Sequence, residues 1–327
     1  MRIVNAAKAL RLPPNQQRKA PSVAPSYTRD LITRMAESHA DLAAGRVDAG
    51  MRRIVDTLAA LRSSLPLEQW RAVCDSPELR SIRSVLAEDP HAHRAYVKPR
   101  GYAGDPVLLD YIYGCAPLPE YTSGLGHDIY RWAAENSLAF RSVHQRRAFL
   151  AAMIDATAAR LPKARVLAVA CGHLREAQLS TAIVGRGLKE LVAVDRDRLS
   201  LDVVRATCRG LPVRCVQATV ADLITDRLDL GDFDLIYAAG LYDYLPDKVA
   251  RRLTGVLSSR LRPGGELVVG NFAGCWESGY MEAIMNWFLL YRTETELLSV
   301  AGDIRDPVMR VWTDSLGVGR YLALTRC

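Results

Sequence analysis

The chain of 327 residues is 49% hydrophobic and 24% charged, which is sufficient for one large core or two modest ones. No apolar run approaches the roughly 20 residues of a membrane span, and the N-terminus lacks the apolar region of a signal peptide. Seven scattered cysteines, with no CxxC pair and no partner histidine at metal spacing, predict a cytoplasmic protein that binds no metal.

The N-terminal segment carries most of the net charge of +7, and no acid precedes Asp30. Its basic residues are Arg2, Lys8, Arg11, Arg18, Lys19 and Arg29. The prolines of this segment are typical of a coil. We therefore expect residues 1–29 to form a basic arm, either solvated or folded as a lid, and we expect no nucleic-acid partner.

Residues 30–142 place apolar side chains at helical spacing, beginning with Leu31, Met35 and Leu42. No stretch in this region shows the pattern of a strand. The sequence therefore predicts an N-terminal all-helical cap over 30–142, followed by an α/β domain over 143–327.

The loop from Tyr96 to Pro106 holds two glycines, two prolines and two basic residues, an unusual mixture for a linker. Asp105 before Pro106 is typical of a helix start, although Asp105 is also a candidate general base. That reading leaves Arg100 and Tyr102 unexplained. We interpret Arg100 as a group that binds a substrate carboxylate, and Tyr102 as a ring placed near a cation.

The strongest pattern in the chain is an apolar run from Arg165 that ends at Gly172. Apolar residues from Leu174 to Ile183 then follow helical spacing, so the pattern predicts a buried strand, a tight turn and a helix. A second apolar run ends at Asp195, close to the roughly 20 positions that separate such a turn from a carboxylate holding ribose hydroxyls. The sequence therefore predicts a nucleoside-binding site.

The residues after Gly172 indicate which nucleoside is bound. A dinucleotide fold needs further glycines there, whereas this chain has bulky side chains and Glu176. S-adenosylmethionine (SAM) has a ribose but no phosphate, so it is favoured over NAD, with ATP third. An α/β domain without a cofactor stays open as the alternative.

The remaining apolar runs alternate with helical patterns in the manner of a Rossmann-like sheet. Strands are predicted at 191–195, 213–217, 233–239, 266–271, 308–313 and 321–325 in addition to the first. The last two are joined by a glycine-containing turn. We therefore predict an α/β fold with a seven-stranded sheet.

Over residues 145–327, this order of elements resembles the class I SAM-dependent methyltransferases. The resemblance rests on the Ala-Cys-Gly turn, the acid after the second strand, FDLIYAAGLYDYL and LRPGGELVVGNF. It implies a mostly parallel sheet whose last strand is antiparallel, with SAM lying across the strand ends.

A narrower resemblance rests on KPRGYAGD, GLYDYL and MNWFLLYRTETEL. These segments are similar to the bacterial extracellular-factor 3-hydroxy fatty-acid methyl ester synthases, which methylate a carboxylate. That group is in turn similar to azetidine-2-carboxylate synthases, which cyclise the aminobutyryl chain of SAM and release methylthioadenosine. The motifs do not separate the two reactions.

The resemblance and the strand positions together imply a set of site residues. The residues expected to contact SAM are Ala170, Cys171, Gly172, Asp195, Arg196, Ala218, Thr219, Ala239, Gly240 and Leu241. The substrate pocket is expected to include Arg100, Asn271, Trp287, Tyr291 and Arg292. Trp287 and Tyr291 are four residues apart and are expected to share a helix face.

The expected reaction requires no side chain to activate the leaving group, because a sulfonium is already a good leaving group. A carboxylate nucleophile needs no general base, whereas a hydroxyl or amine nucleophile does. The candidate general bases are Tyr242, Asp243 and Asp105. The Tyr102 ring is expected to lie near the sulfonium cation. Three hypotheses follow: a methyltransferase acting on a small-molecule carboxylate such as a hydroxy fatty acid, a SAM-cyclising azetidine-2-carboxylate synthase, and an inert SAM-binding regulatory module.

Overall fold

A computed structural model describes residues 25–225, 227–304 and 308–326. Up to residue 164, the described residues form helices and turns and no strand, as the sequence predicted. The helices are α1 Pro25–Ala43, α2 Val47–Ser64, α3 Leu67–Cys74, α4 Arg80–Leu86, α5 Pro90–Val97, α6 Pro106–Ile112, α7 Gly124–Asn136 and α8 Leu138–Arg160. None of the helices in these three ranges is both long and apolar enough to cross a membrane.

The second part of the chain forms a seven-stranded sheet in the order β3-β2-β1-β4-β5-β7-β6. The strands are β1 Arg165–Val169, β2 Glu190–Asp195, β3 Val213–Gln217, β4 Phe233–Ala238, β5 Leu261–Phe272, β6 Val308–Thr313 and β7 Gly319–Thr325. The first five strands pair in parallel, whereas β7 runs antiparallel to both β5 and β6. The predicted Rossmann-like methyltransferase fold with an antiparallel last strand is therefore confirmed.

Six further α-helices accompany the sheet in the described part of the chain. They are α9 Thr181–Val184, α10 Arg198–Thr207, α11 Val220–Ile224, α12 Asp247–Ser259, α13 Ser278–Ala283 and α14 Glu294–Ser299. In the register of the sheet, Val166 on β1 faces Leu191 on β2 and Leu235 on β4. The carboxyl ends of these three central strands therefore meet at one edge.

The core of the helical region extends beyond the helices themselves. Leu58 of α2 and Leu108 of α6 belong to the same buried cluster as Phe272, Met281 and Trp287, which lie at the end of β5 and beyond it in the chain. The expected boundary after residue 142 falls inside α8, so one continuous helix joins the two parts. The division into a cap and a SAM-binding domain stays a prediction, and most of the expected 1–29 arm lies outside the described residues.

The helix predicted directly after Gly172 is wrong. Leu174 adopts a left-handed conformation with φ of 49°, and only a short 3-10 turn, Arg175–Gln178, precedes α9. Asp155 of α8 accepts hydrogen bonds from the backbone N–H groups of Thr181 and Ala182, which starts α9 separately. A contact from a distant helix therefore divides what the spacing predicted as one helix.

The helix face predicted for Trp287 and Tyr291 is also wrong, because α13 ends at Ala283. Beyond it, Asn286 has φ of 50°. The backbone N–H of Leu290 donates to the carbonyl of Asp243 at 2.8 Å, outside any helical pattern. The segment 284–293 is therefore held against the ends of β4 and β5 rather than coiled on itself.

Candidate functional site

The carboxyl ends of β1 and β2 are joined through Asp195. Its carboxylate accepts the backbone N–H of Gly172 at 2.8 Å and that of Asp197 at 2.8 Å. Burial raises the pKa of Asp195, and these two N–H groups offset part of the rise. The N-cap of α10 is Asp197 rather than Asp195, so capping does not explain why an acid stands at position 195.

The turn that directly follows β1 contains two residues in the left-handed backbone conformation. Ala170 has φ of 53° and Gly172 has φ of 54°. A Cβ atom on Gly172 would lie 3.1 Å from Cγ of Pro106, so the turn also packs against the start of α6. Burial raises the pKa of the Cys171 thiol, which disfavours the nucleophilic thiolate form.

Ala218 and Thr219 lie at the carboxyl end of β3, beside the Asp195 end of β2. The N–H of Ala218 donates to the carbonyl of Asp195 at 3.0 Å. Thr219 forms a capping box with Asp222 at the start of α11. Both residues thus adjoin the predicted nucleoside position, and their contact with an adenine stays a prediction.

The 98–105 loop crosses this edge of the sheet, and Arg100 attaches it to α10. Arg100 Nη1 donates to the Asp197 carboxylate at 2.6 Å and to the Ser200 hydroxyl at 2.8 Å. The guanidinium of Arg100 is thus engaged with residues at the start of α10, and its role in the substrate pocket stays a prediction.

Tyr102 lies between the two ends of the site. The Arg196 guanidinium carbon is 5.1 Å from the centroid of the Tyr102 ring. The Tyr102 ring also meets the Tyr244 ring edge to face, with centroids 6.4 Å apart. Burial raises the pKa of Tyr102 well above its ordinary value, so its phenol stays neutral.

Asp105 caps a helix and holds an ion pair. Its side chain is fully buried and caps α6 through the N–H groups of Val107 and Leu108. It also receives a two-pronged ion pair from Arg94, with both N–O distances 2.7 Å. Both carboxylate oxygens therefore have partners in the protein, and a catalytic role for Asp105 stays a prediction.

Ala239, Gly240 and Leu241 follow β4 and lie beside Arg146, which the sequence offered only as one of three clustered arginines, with Arg141 and Arg147, that could face a ligand carboxylate. Nη1 of Arg146, on α8, donates to the carbonyl of Ala239 at 2.7 Å. A Cβ atom on Gly240 would lie 3.6 Å from the same nitrogen. Nε of Arg146 is buried and has no hydrogen-bond partner among the described residues, although the guanidinium also interacts with Tyr113.

Asp243 lies beside the end of β5. Its carboxylate accepts the N–H of Phe272 at 2.6 Å, and its side chain is 3% exposed. Burial raises the pKa of Asp243 to about 6. The neighbouring Tyr244 hydroxyl accepts the indole N–H of Trp287 at 2.8 Å. Asp243, Tyr244 and Trp287 therefore form one polar and aromatic wall.

Arg292 and Asn271 interact with the protein itself. Arg292 donates to Asn271 Oδ1 at 2.6 Å and to the carbonyls of Tyr242 and Leu245 at 2.8 and 2.5 Å. It also pairs with Asp247 at 2.9 Å. These partners take up its guanidinium, and the role of Arg292 as a carboxylate anchor stays a prediction.

Tyr242 and Tyr291 both pack against other parts of the protein. The Tyr242 hydroxyl lies 2.8 Å from the Thr254 hydroxyl on α12, inside the core, and a role for Tyr242 in proton transfer stays a prediction. The Tyr291 ring lies under the guanidinium of Arg62 at 5.0 Å, and its buried hydroxyl has no partner among the described residues. Of the predicted substrate residues, Trp287 belongs to the wall that contains Asp243.

Residues 166–265 match the profile of a family described as a methyltransferase domain. No curated protein matches the sequence. Among solved structures, a possible exported protein from Bordetella parapertussis is 17% identical, with 93% of this chain and 99% of that chain covered and a TM-score of 0.59. This similarity shows a shared fold over almost the whole length.

Two solved methyltransferases are also similar. The magnesium protoporphyrin IX methyltransferase from Synechocystis with bound SAH is 13% identical, covering 67% of this chain and 92% of that chain, with a TM-score of 0.46. The N-methyltransferase NodS from Bradyrhizobium japonicum is 14% identical, covering 59% and 98%, with a TM-score of 0.41.

Proposed function

We propose that this protein is a SAM-dependent methyltransferase that acts on a small-molecule acceptor in the cytoplasm. The observation that carries the proposal is the Asp195 carboxylate, held by the N–H groups of Gly172 and Asp197 at the paired ends of β1 and β2. The match of residues 166–265 to a methyltransferase domain supports it. A carboxylate in this place is suited to accept hydrogen bonds from ribose hydroxyls.

The described residues offer partners for each part of SAM. Asp195 would accept the ribose hydroxyls, and the unpartnered Nε of Arg146 would donate to the carboxylate of the methionine part. Arg196 and Tyr102 would flank the adenine and the sulfonium. The unpartnered Nε of Arg146 supports an anionic group at this end of the site.

The acceptor expected from the sequence is a carboxylate such as a hydroxy fatty acid. Arg100 and Arg292, the two arginines expected to bind it, are engaged with Asp197 and with Asn271 and Asp247. We propose that the Asp243–Tyr244–Trp287 wall lies at the reacting end instead. Asp243, with its pKa near 6, is suited to take a proton from a hydroxyl or amine acceptor at neutral pH.

We keep the SAM cyclase as a second candidate because the 98–105 loop packs closely on this wall. A Cβ atom on Gly104 would lie 2.5 Å from the Trp287 ring and 3.0 Å from the Tyr244 hydroxyl oxygen. Such packing limits the room for a second substrate. In this reaction the amine nitrogen of SAM bonds to its own γ-carbon, the carbon–sulfur bond breaks, methylthioadenosine leaves with the electron pair, and Asp243 takes the amine proton.

The experiment that separates these functions is incubation of the purified full chain with SAM alone, followed by mass spectrometry. Methylthioadenosine and azetidine-2-carboxylate formed without an acceptor would establish cyclisation and contradict methyl transfer. S-adenosylhomocysteine formed only when a small-molecule acceptor is supplied would establish methyl transfer. SAM binding with neither product would leave the regulatory module.

A further inference from the structure

A cavity of about 40 Å³ lies between the helical region and the segment that follows β5. Its volume is sufficient for about three water molecules or one small organic group. Aromatic side chains form much of its wall: Trp132, Phe140, Phe272, Tyr280 and Trp287. Because Trp287 also donates to Tyr244, a single indole ring connects this cavity to the reacting end of the proposed site.

Two buried carboxylates also line the cavity. Asp89 is 1% exposed, and its oxygens accept the N–H groups of His91 and Ala92 at the start of α5. Glu277 is 3% exposed, and one of its oxygens accepts the N–H of Leu138 at the start of α8. The second oxygen of Glu277 has no partner among the described residues.

The charges around the cavity are unbalanced. Within the described ranges no lysine or arginine lines it, and His91 is its one basic side chain, with Nδ1 3.6 Å from Asp89. A buried carboxylate oxygen without a donor is costly, and the cost is removed when a ligand supplies the donor. Two carboxylates oppose an anionic ligand, and a fatty-acyl chain would leave the Glu277 oxygen unpaired against methylene groups.

Carboxylates combined with aromatic rings are the pattern that recognises an organic ammonium ion. The rings attract a cation through their faces, and the carboxylate accepts its N–H hydrogens. We propose that this cavity binds the ammonium group of the acceptor, so that the substrate is an amine or an amino acid and not a plain fatty acid. This inference rests on the proposed methyltransferase function, and it assigns the ammonium group to recognition while another atom receives the methyl group.

The test measures binding of methylammonium and ethylammonium to the full chain loaded with S-adenosylhomocysteine, by calorimetry, with acetate and ethanol as matched anionic and neutral probes. We expect saturable binding of the two cations and none of acetate or ethanol. In Glu277→Gln the cations should bind about tenfold more weakly or worse, because the amide still accepts the Leu138 N–H but carries no charge. Glu135→Gln, a change of an acid on α7 that does not line the cavity, is the control and should bind like the wild type.

A second variant keeps the test independent of Glu277. Ala139 lines the cavity, so Ala139→Val fills it while both carboxylates stay in place, and cation binding should be lost. No saturable binding by the wild type, or equal binding by the wild type and Glu277→Gln, would overturn the proposal. The affinity for S-adenosylhomocysteine is measured separately in each protein. If the wild type does not bind S-adenosylhomocysteine, the proposed methyltransferase function is contradicted and the ammonium site is not.

Discussion

Asp110 on α6 receives a two-pronged ion pair from Arg175, with Nε–Oδ1 of 2.7 Å and Nη2–Oδ2 of 2.6 Å. Nδ1 of His173 lies 2.8 Å from the same carboxylate. Burial tends to raise the pKa of Asp110, but Arg175 and His173 hold it below its usual value. A helix of the cap region therefore fixes the turn that follows Gly172, although this turn lacks the glycines and the helix usual in nucleotide folds.

The first prediction concerns this pair. Asp110→Asn should lower the free energy of unfolding by about 2–4 kcal/mol, because it leaves the buried Arg175 guanidinium without a charged partner. It should also weaken SAM binding, because the Gly172 turn loses its support. Urea denaturation and calorimetry measure the two effects. Asp202→Asn, which removes an exposed pair with Arg205, should cost less than about 1 kcal/mol. Equal losses of unfolding free energy in Asp110→Asn and Asp202→Asn would contradict a stabilising role for the Asp110–Arg175 pair.

The second prediction concerns the nucleoside end of the site. Asp195→Asn should weaken SAM binding by about 10- to 100-fold, since a charge-assisted hydrogen bond contributes roughly 1.5–3 kcal/mol. Adenosine affinity should fall by the same factor, because both ligands present the same ribose. An adenosine affinity that is unchanged in the variant would show that Asp195 does not contact the ribose.

The third prediction concerns the opposite end. Arg146→Gln should weaken S-adenosylhomocysteine binding by about 10- to 100-fold, because a charged donor to the ligand carboxylate is lost. Methylthioadenosine has the nucleoside but no carboxylate, so its affinity should stay the same. The ratio of the two affinities separates a lost contact from general misfolding, since misfolding would weaken both ligands alike.

The fourth prediction concerns the packing of the loop on the wall. Gly104→Ala should lower stability by about 1–3 kcal/mol and reduce turnover, because its methyl group would overlap the Trp287 ring. Gly124→Ala is the matched control, since a Cβ atom there meets nothing within 4 Å. Thermal unfolding and steady-state turnover are measured for both. A Gly104→Ala protein with normal turnover would show that the close packing is not needed.

The fifth prediction concerns pH. The pKa of Asp243 is about 6 in the folded protein against 3.8 ordinarily, so its contribution to stability is present below about pH 4 and lost as the pH rises through 6. Asp243→Asn removes this dependence. The stability of the variant relative to the wild type should therefore rise by up to about 3 kcal/mol between pH 4 and pH 7, because each tenfold change in proton affinity corresponds to about 1.4 kcal/mol. Urea denaturation between pH 4 and pH 7 measures the free energy of unfolding of both proteins. If this free energy changes with pH in the same way in the variant and the wild type, the prediction is contradicted.

The sequence by itself determined the order of the strands along the chain, the tight turn at Gly172 and the place of Asp195 after β2. These features depend on local apolar runs and on a short spacing, and both are visible along the chain. The helix start at Asp105 was equally local, because a cap contacts N–H groups two and three residues ahead. The site residues assigned by strand position therefore adjoin one another at the edge of the sheet.

Only the tertiary structure decided which charged groups are engaged and which are left for a ligand. Arg100 and Arg292 were expected to anchor the substrate, yet both bond to the protein. Arg146, which the sequence offered only as one of three clustered arginines, has an Nε without a hydrogen bond among the described residues. The ion pair of Asp110 with Arg175 and the hydrogen bond of Glu277 to Leu138 also join residues far apart in the chain. A buried polar group selects its partner after the strands and helices have assembled, because pairing depends on distances in space, which spacing along the chain does not specify.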